Sequence, residues 1–108
     1  METRSIEAQV IEDTVKNLFL ECNYNIGGDI MSALEQAKGT EKSKTGKDVL
    51  DLLIENDKLA KSERLPICQD TGMSVLFVEY GDKVTVKGGS FSEAVENGVR
   101  SAYIDGYL

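Results

Sequence analysis

Leu65-Pro66-Ile67-Cys68-Gln69-Asp70-Thr71-Gly72-Met73-Ser74-Val75-Leu76-Phe77-Val78-Glu79-Tyr80 is the stretch in which the chain changes period. Before it, apolar residues recur every three or four positions. From Met73 they run almost without a break and are rich in β-branched and aromatic types. That pattern predicts a strand over residues 74–80 with both faces partly covered. Pro66, the single proline, stops a helix and pushes Leu65 toward an extended conformation. Downstream, Gly81-Asp82 reads as a turn and Val84-Thr85-Val86 as a second strand, so a hairpin is expected. Gly88-Gly89 ends it. Ser90, with Glu93 three residues on, forms a capping box that opens a helix running to the end of the chain or just short of it. Phe91, Val95, Val99, Ala102 and Tyr103 share one face of that helix.

Working outward in the other direction, Ile6, Val10, Ile11, Val15, Leu18 and Cys22 mark an amphipathic helix over about residues 5–21. Residues 23–28 break it. A short helix over about 29–38 follows, with Ile30, Leu34 and Ala37 inward and Asp29 as its N-cap. Residues 39–46 read as a polar, mobile loop. Thr45 and Asp48 have capping-box spacing, and Val49, Leu52, Leu53, Asn56, Leu59 and Ala60 trace a third helix ending near Ser62. The fold class is therefore α+β: three N-terminal helices, a β-hairpin and a further helix.

A chain of 108 residues with 41% hydrophobic content can build one modest core. No run approaches the roughly 20 apolar residues of a membrane helix, and the first residues lack a signal-peptide pattern. The expected compartment is the cytoplasm, with no membrane partner. The net charge of −7, with scattered Lys and Arg, disfavours a nucleic-acid partner. There are two cysteines and no histidine, so catalysis must rest on carboxylates, thiols, hydroxyls or a cofactor.

The chemistry concentrates at Cys68-Gln69-Asp70-Thr71-Gly72, where a thiol, an amide, a carboxylate and a hydroxyl are consecutive and glycine closes the turn. Loops between rigid elements are where reactive groups are usually placed. On the residues alone a blander reading stands beside this one. A lone cysteine beside a strand is more often a small buried hydrophobe, Asp-Thr-Gly is more often just a turn, and one thiolate cannot hold a cluster.

Pro66-Ile67-Cys68-Gln69-Asp70-Thr71-Gly72 resembles the signature of class I fumarases and the related L-tartrate dehydratase α subunits. Thr45-Gly46-Lys47-Asp48-Val49-Leu50 resembles the opening of the helix before that signature, and Gly98-Val99-Arg100, Tyr103 and Gly106-Tyr107-Leu108 resemble the helix after the hairpin. The resemblance spans nearly the whole chain. It implies that residues 1–108 are the N-terminal segment, truncated at its C-terminus, of a larger α/β iron–sulfur hydro-lyase N-terminal domain.

The resemblance also implies a 4Fe-4S cluster held by three cysteines, with one iron open to substrate. Cys68 matches the first cluster ligand. Gln69 matches a hydrogen-bond donor to a substrate carboxylate, and Asp70 a substrate-binding acid/base. Cys22 matches neither remaining ligand and is assigned to the apolar face of the first helix. The implied reaction is reversible hydration of fumarate to malate. The alternatives are an L-tartrate dehydratase α segment and a non-catalytic interaction fragment. The implied partners are a small dicarboxylic acid and a β subunit or second catalytic domain, in an oligomer. With one matched thiolate, the chain alone is expected to fold but to be colourless and inert.

Overall fold

The computed structural model describes residues 2–70 and 72–108. Its elements, in order, are strand β1 (Arg4–Glu7), helices α1 (Ala8–Tyr24), α2 (Gly28–Thr40) and α3 (Lys44–Glu63), strand β2 (Val84–Lys87) and helix α4 (Phe91–Asp105). The expected mixture of helix and strand is present. The chain divides into two compact units: one combines the segments up to Leu20 and from Asp70 onward, and the other is Glu21–Gln69.

In the first unit the hairpin is replaced by a different pairing. β2 lies parallel to β1, with Arg4 opposite Val84, Ser5 opposite Thr85, Ile6 opposite Val86 and Glu7 opposite Lys87. Ile6, Val84 and Val86 are half-buried on one face, and the Ser5 and Thr85 hydroxyls meet at 3.3 Å on the other. The expected first helix accordingly starts three residues late, at Ala8, because Ser5–Glu7 are strand.

Residues 74–80, expected as a strand, form no ladder among the described residues. β propensity expresses packing on a pleated surface rather than a backbone preference, so an apolar run without a partner strand does not become one. Phe77 is 97% and Met73 85% exposed, and Val75, Val78 and Tyr80 are exposed too. The turn after them survives, with Val84 N–H donating to the Gly81 carbonyl at 3.4 Å.

The core of this unit is the crossing of α1 and α4. α4 starts as expected: the Ser90 hydroxyl caps it, accepting from Glu93 N–H at 3.1 Å. Its most buried residues are Ala94, Gly98 and Ala102, a stripe of small side chains flanked by half-buried Phe91, Val95, Val99 and Tyr103. Small residues let two backbones approach closely. A Cβ placed on Gly98 would sit 2.6 Å from the Glu12 carbonyl oxygen and 2.8 Å from Val15 Cβ. Phe19 and Tyr103 rings pack beside the crossing at 6.4 Å, the Lys16 ammonium pairs with Asp105 at 2.6 Å, and Tyr80 meets Phe91 edge-on at 5.4 Å.

The second unit is built on α2 against α3. Met31, Leu34 and Ala37 of α2 are half-buried, whereas Ile30, expected inward, is exposed. On α3 the buried residues are Ile54, Asp57 and Ala60. Val49, Leu52, Leu53 and Leu59, expected as the inward stripe, are exposed. α3 carries apolar residues around more than half its circumference, and one neighbouring helix covers only the edge that holds Ile54, Asp57 and Ala60.

The expected mobile loop over 39–46 shrinks to a three-residue connection, 41–43, between α2 and α3. Glu41 organises it. Its carboxylate accepts from Ser43 N–H at 3.0 Å, the Ser43 hydroxyl at 3.2 Å and Lys42 N–H at 2.9 Å, and these donors, Ser43 N–H first, hold its pKa below the usual range. Ser43, not Thr45, is the N-cap of α3, accepting from Gly46 N–H at 2.9 Å. Gly27, with φ 85°, and not Asp29, stands at the N-cap of α2.

Candidate functional site

The loop that carries Cys68 starts with the way α3 ends. Arg64 takes the left-handed conformation (φ 56°, ψ 51°) and its N–H returns to the Ala60 carbonyl. Leu65 N–H donates to the same carbonyl at 3.0 Å. A non-glycine residue there costs about 1–2 kcal/mol. The side chain offsets much of that: its guanidinium lies 4.8 Å from the centroid of the buried Tyr24 ring and donates to the Glu21 carboxylate at 2.7 Å. An exposed cation–π contact contributes about 0.5–1 kcal/mol and an exposed ion pair 0.2–1 kcal/mol. Arg64 thus fixes the direction in which the chain leaves α3.

Two hydrogen bonds then pin the backbone just before the thiol. Ile67 N–H donates to the Asn23 carbonyl at 2.9 Å, and the Asn56 side-chain amide donates to the Ile67 carbonyl at 2.9 Å. Pro66 and Ile67 are half-buried, and Cys68, Gln69 and Asp70 are all exposed. Residues 65–70 are irregular, as expected for a loop, and Gly72 has φ +55°. Thr71 lies outside the described residues. The expectation that Cys68 is accessible is met.

The sequence placed Cys22 on a buried helix face, but it is exposed at the end of α1. The α1 face that is buried there turns through Val15 and Tyr24 instead. Asn23 and Asn56 were missed as site residues. The signal for Asn56 was present: an amide inside an otherwise apolar stripe has to reach a polar partner. Arg100, read as solvated, is exposed and donates to Asn97 at 3.0 Å.

An exposed thiol on a pinned backbone suits one ligand position of a metal cluster, since the thiolate is the ligating form and must be reachable. Among the described residues no three Cys, Asp or Glu side chains gather in a way that would hold a metal ion. Cys68 therefore fits as one ligand of a set, not as the whole set. Among these residues, too, no helix is long and apolar enough to cross a membrane.

The comparisons with known proteins give the family of the chain. The family model for fumarate hydratase (fumerase) matches residues 12–108. The "Putative L(+)-tartrate dehydratase subunit alpha" of Methanocaldococcus jannaschii is 34% identical over 93 residues, which cover 85% of this chain and 33% of that protein. The L(+)-tartrate dehydratase subunit alpha of Escherichia coli K12 is 28% identical over 78 residues, covering 72% of this chain and 26% of that protein. The chain spans a third or less of the length of these relatives. With the family model matching all but its first eleven residues, the chain belongs to the fumarate hydratase (fumerase) family.

Proposed function

We propose that this chain supplies part of the active site of an iron–sulfur hydro-lyase that reversibly adds water to a four-carbon dicarboxylate, fumarate to malate being the reaction its family name carries. The observation that supports this reading is the run of three exposed, chemically distinct side chains, Cys68, Gln69 and Asp70, directly after a backbone pinned at Ile67. Cys68 is one thiolate ligand of a 4Fe-4S cluster, and the remaining ligands come from polypeptide beyond those described here. When bound, the cluster supplies a Lewis-acidic iron toward the hydroxyl that leaves or arrives.

The other two residues perform what the metal does not. Gln69 donates its amide N–H to a substrate carboxylate and orients the molecule. Asp70 takes the proton from the carbon beside a carboxylate and returns it in the reverse direction, which is general acid–base work. A second reading is specifically favoured by the relatives: both are named as α subunits of L(+)-tartrate dehydratase. Tartrate differs from malate by one hydroxyl, and these three roles serve either substrate. The α designation also supports a β subunit as partner.

The test is made in the complete enzyme that contains this segment. Asp70→Asn should lower turnover by roughly 10²–10⁴-fold while iron content and visible absorbance stay unchanged. Cys68→Ser should abolish both the absorbance and the activity. Near-normal turnover in Asp70→Asn, or a full iron complement in Cys68→Ser, would refute these assignments. Parallel assays on fumarate and L-tartrate decide between the two substrates.

A further inference from the structure

Cys22 is the thiol that the proposed chemistry leaves unused, and the fold brings it beside the one that is used. The two cysteines are far apart in sequence, yet both belong to the Glu21–Gln69 unit and both are exposed. Three contacts join the last turn of α1 to the chain leading into Cys68. The Arg64 guanidinium donates to the Glu21 carboxylate at 2.7 Å and lies 4.8 Å from the Tyr24 ring centroid. Ile67 N–H donates to the Asn23 carbonyl at 2.9 Å. Cys22 therefore stands among the residues of α1 that hold the chain at Arg64 and Ile67, and Cys68 is the next residue along. The Asn23 side-chain amide reaches the Cys22 sulfur at 3.8 Å, so that sulfur lies beside the residue that receives the loop.

The remaining gap is short. A backbone N–H···O=C bond sets the two Cα atoms it joins about 5–6 Å apart, and each cysteine is one step of about 3.8 Å from that pair. A disulfide needs Cα atoms about 4.4–6.8 Å apart. Residues 68–70 lie in neither helix nor strand, so a turn of the backbone at Cys68 closes the gap without breaking a helix or strand bond.

We infer that Cys22 and Cys68 form a reactive dithiol that closes to an intramolecular disulfide by exchange with a small-molecule disulfide. The Cys68 thiolate attacks one sulfur of the small disulfide, whose S–S bond breaks as one small thiolate leaves. The Cys22 thiolate then attacks the Cys68 sulfur, and the mixed disulfide breaks as the second small thiolate leaves. The two cysteines are oxidised by two electrons, the small disulfide is reduced to two thiols, and the two cysteine protons end on those thiols. One consequence rests on the proposed function: closure withdraws Cys68 as a cluster ligand until the bond is reduced. In the unfolded chain the same thiols meet only across a long flexible loop. Folding has already brought their neighbours together, which raises the effective concentration of one thiol at the other.

The experiment is a titration of the 108-residue chain in mixtures of oxidised and reduced glutathione, in buffer and in urea, quenched with acid and read by mass spectrometry. The intramolecular disulfide should be favoured at least tenfold more in the folded chain than in the unfolded one. By linkage, the closed chain should then be at least tenfold more stable to urea than the reduced chain, about 1.4 kcal/mol. Cys22→Ser, altered at an exposed position, should stop at the mixed disulfide on Cys68. No greater preference for closure in the folded chain than in urea, or glutathione carried on both cysteines, would overturn the inference. Neither cluster nor turnover enters this measurement, so it holds or fails apart from the hydro-lyase reading. In the complete enzyme, apoprotein closed in this way should take up iron only after a reductant is added, and uptake without one would overturn the consequence for the cluster.

Discussion

Gly98→Ala tests the packing of the first unit most directly, because two opposing terms can be set against each other. Glycine in a helix interior is about 1 kcal/mol worse than alanine, so propensity alone predicts that the substitution stabilises. Geometry predicts the opposite. The new methyl would lie 2.6 Å from the Glu12 carbonyl oxygen, 2.8 Å from Val15 Cβ and 3.0 Å from Val15 Cγ1, whereas carbon contacts are favourable near 3.5–4.0 Å. The nearest atom belongs to the backbone and cannot rotate away. α1 and α4 must move apart, loosening the buried contacts of Val15, Ala94 and Ala102. Overpacking of this kind costs about 1–3 kcal/mol, which less the propensity gain of about 1 kcal/mol leaves a net loss of up to about 2 kcal/mol. For a chain of this size that lowers Tm by up to roughly 10 °C. Gly39→Ala is the control: it is also helical, but nothing lies within 4 Å of its added methyl, so it should be neutral or stabilising. Thermal unfolding of the three proteins by far-UV circular dichroism decides the matter. A Gly98→Ala variant as stable as Gly39→Ala would show that the helices do not cross this closely.

Three further outcomes are expected. Ser90→Ala removes the side-chain acceptor that caps α4 and should cost about 1 kcal/mol, read as a shifted urea midpoint with unchanged slope, while Ser90→Asp should restore most of it. Asn56→Ala frees the Ile67 carbonyl, so amide exchange at Cys68 and Gln69 should quicken while the amides of α2 keep their protection; unchanged loop exchange would mean the anchor is unnecessary. Asp57→Asn should raise Tm at neutral pH. A carboxyl whose pKa is raised on folding favours the folded state fully only below its unfolded value near ~3.9, and it opposes folding once pH rises through the folded value. The gain in Asp57→Asn should therefore shrink as pH falls through that window, and a pH-independent difference would count against burial as the cause.

What the sequence revealed and what it hid divide along the range of the interaction. The start of α4 was legible because the Ser90–Glu93 bond closes within three residues, and the irregular loop after α3 was legible from Pro66. The parallel pairing of β1 with β2 was not, since Ile6 and Val86 stand 80 residues apart and Ile6 also fits the helical spacing of Val10. Residues 74–80 show the converse failure, a strand pattern without a strand to pair with. On α3 the periodicity correctly found a helix but chose the wrong side of it. Apolar residues lie on both sides, and only contact with α2 selects Ile54, Asp57 and Ala60. The three reactive residues were legible as a motif, and Asn56 carried a signal that its amide needs a partner; the Asn23 anchor was not legible, because it is a backbone carbonyl that meets a backbone N–H distant in sequence.

The exposed apolar residues bear on the proposed chemistry. A carboxylate base gains strength when water is kept from it, and Asp70 as described is exposed. Large apolar side chains are uncovered at several places along the chain, Leu52, Leu53, Leu59 and Leu65 before it and Met73, Val75, Phe77 and Val78 after it among them. Monomeric proteins rarely leave such surface uncovered without a use. Under the proposed function, Asp70 reaches its full strength as a base only where water is kept from it, so the turnover assigned to it is a property of the complete enzyme and not of the exposed loop in this chain.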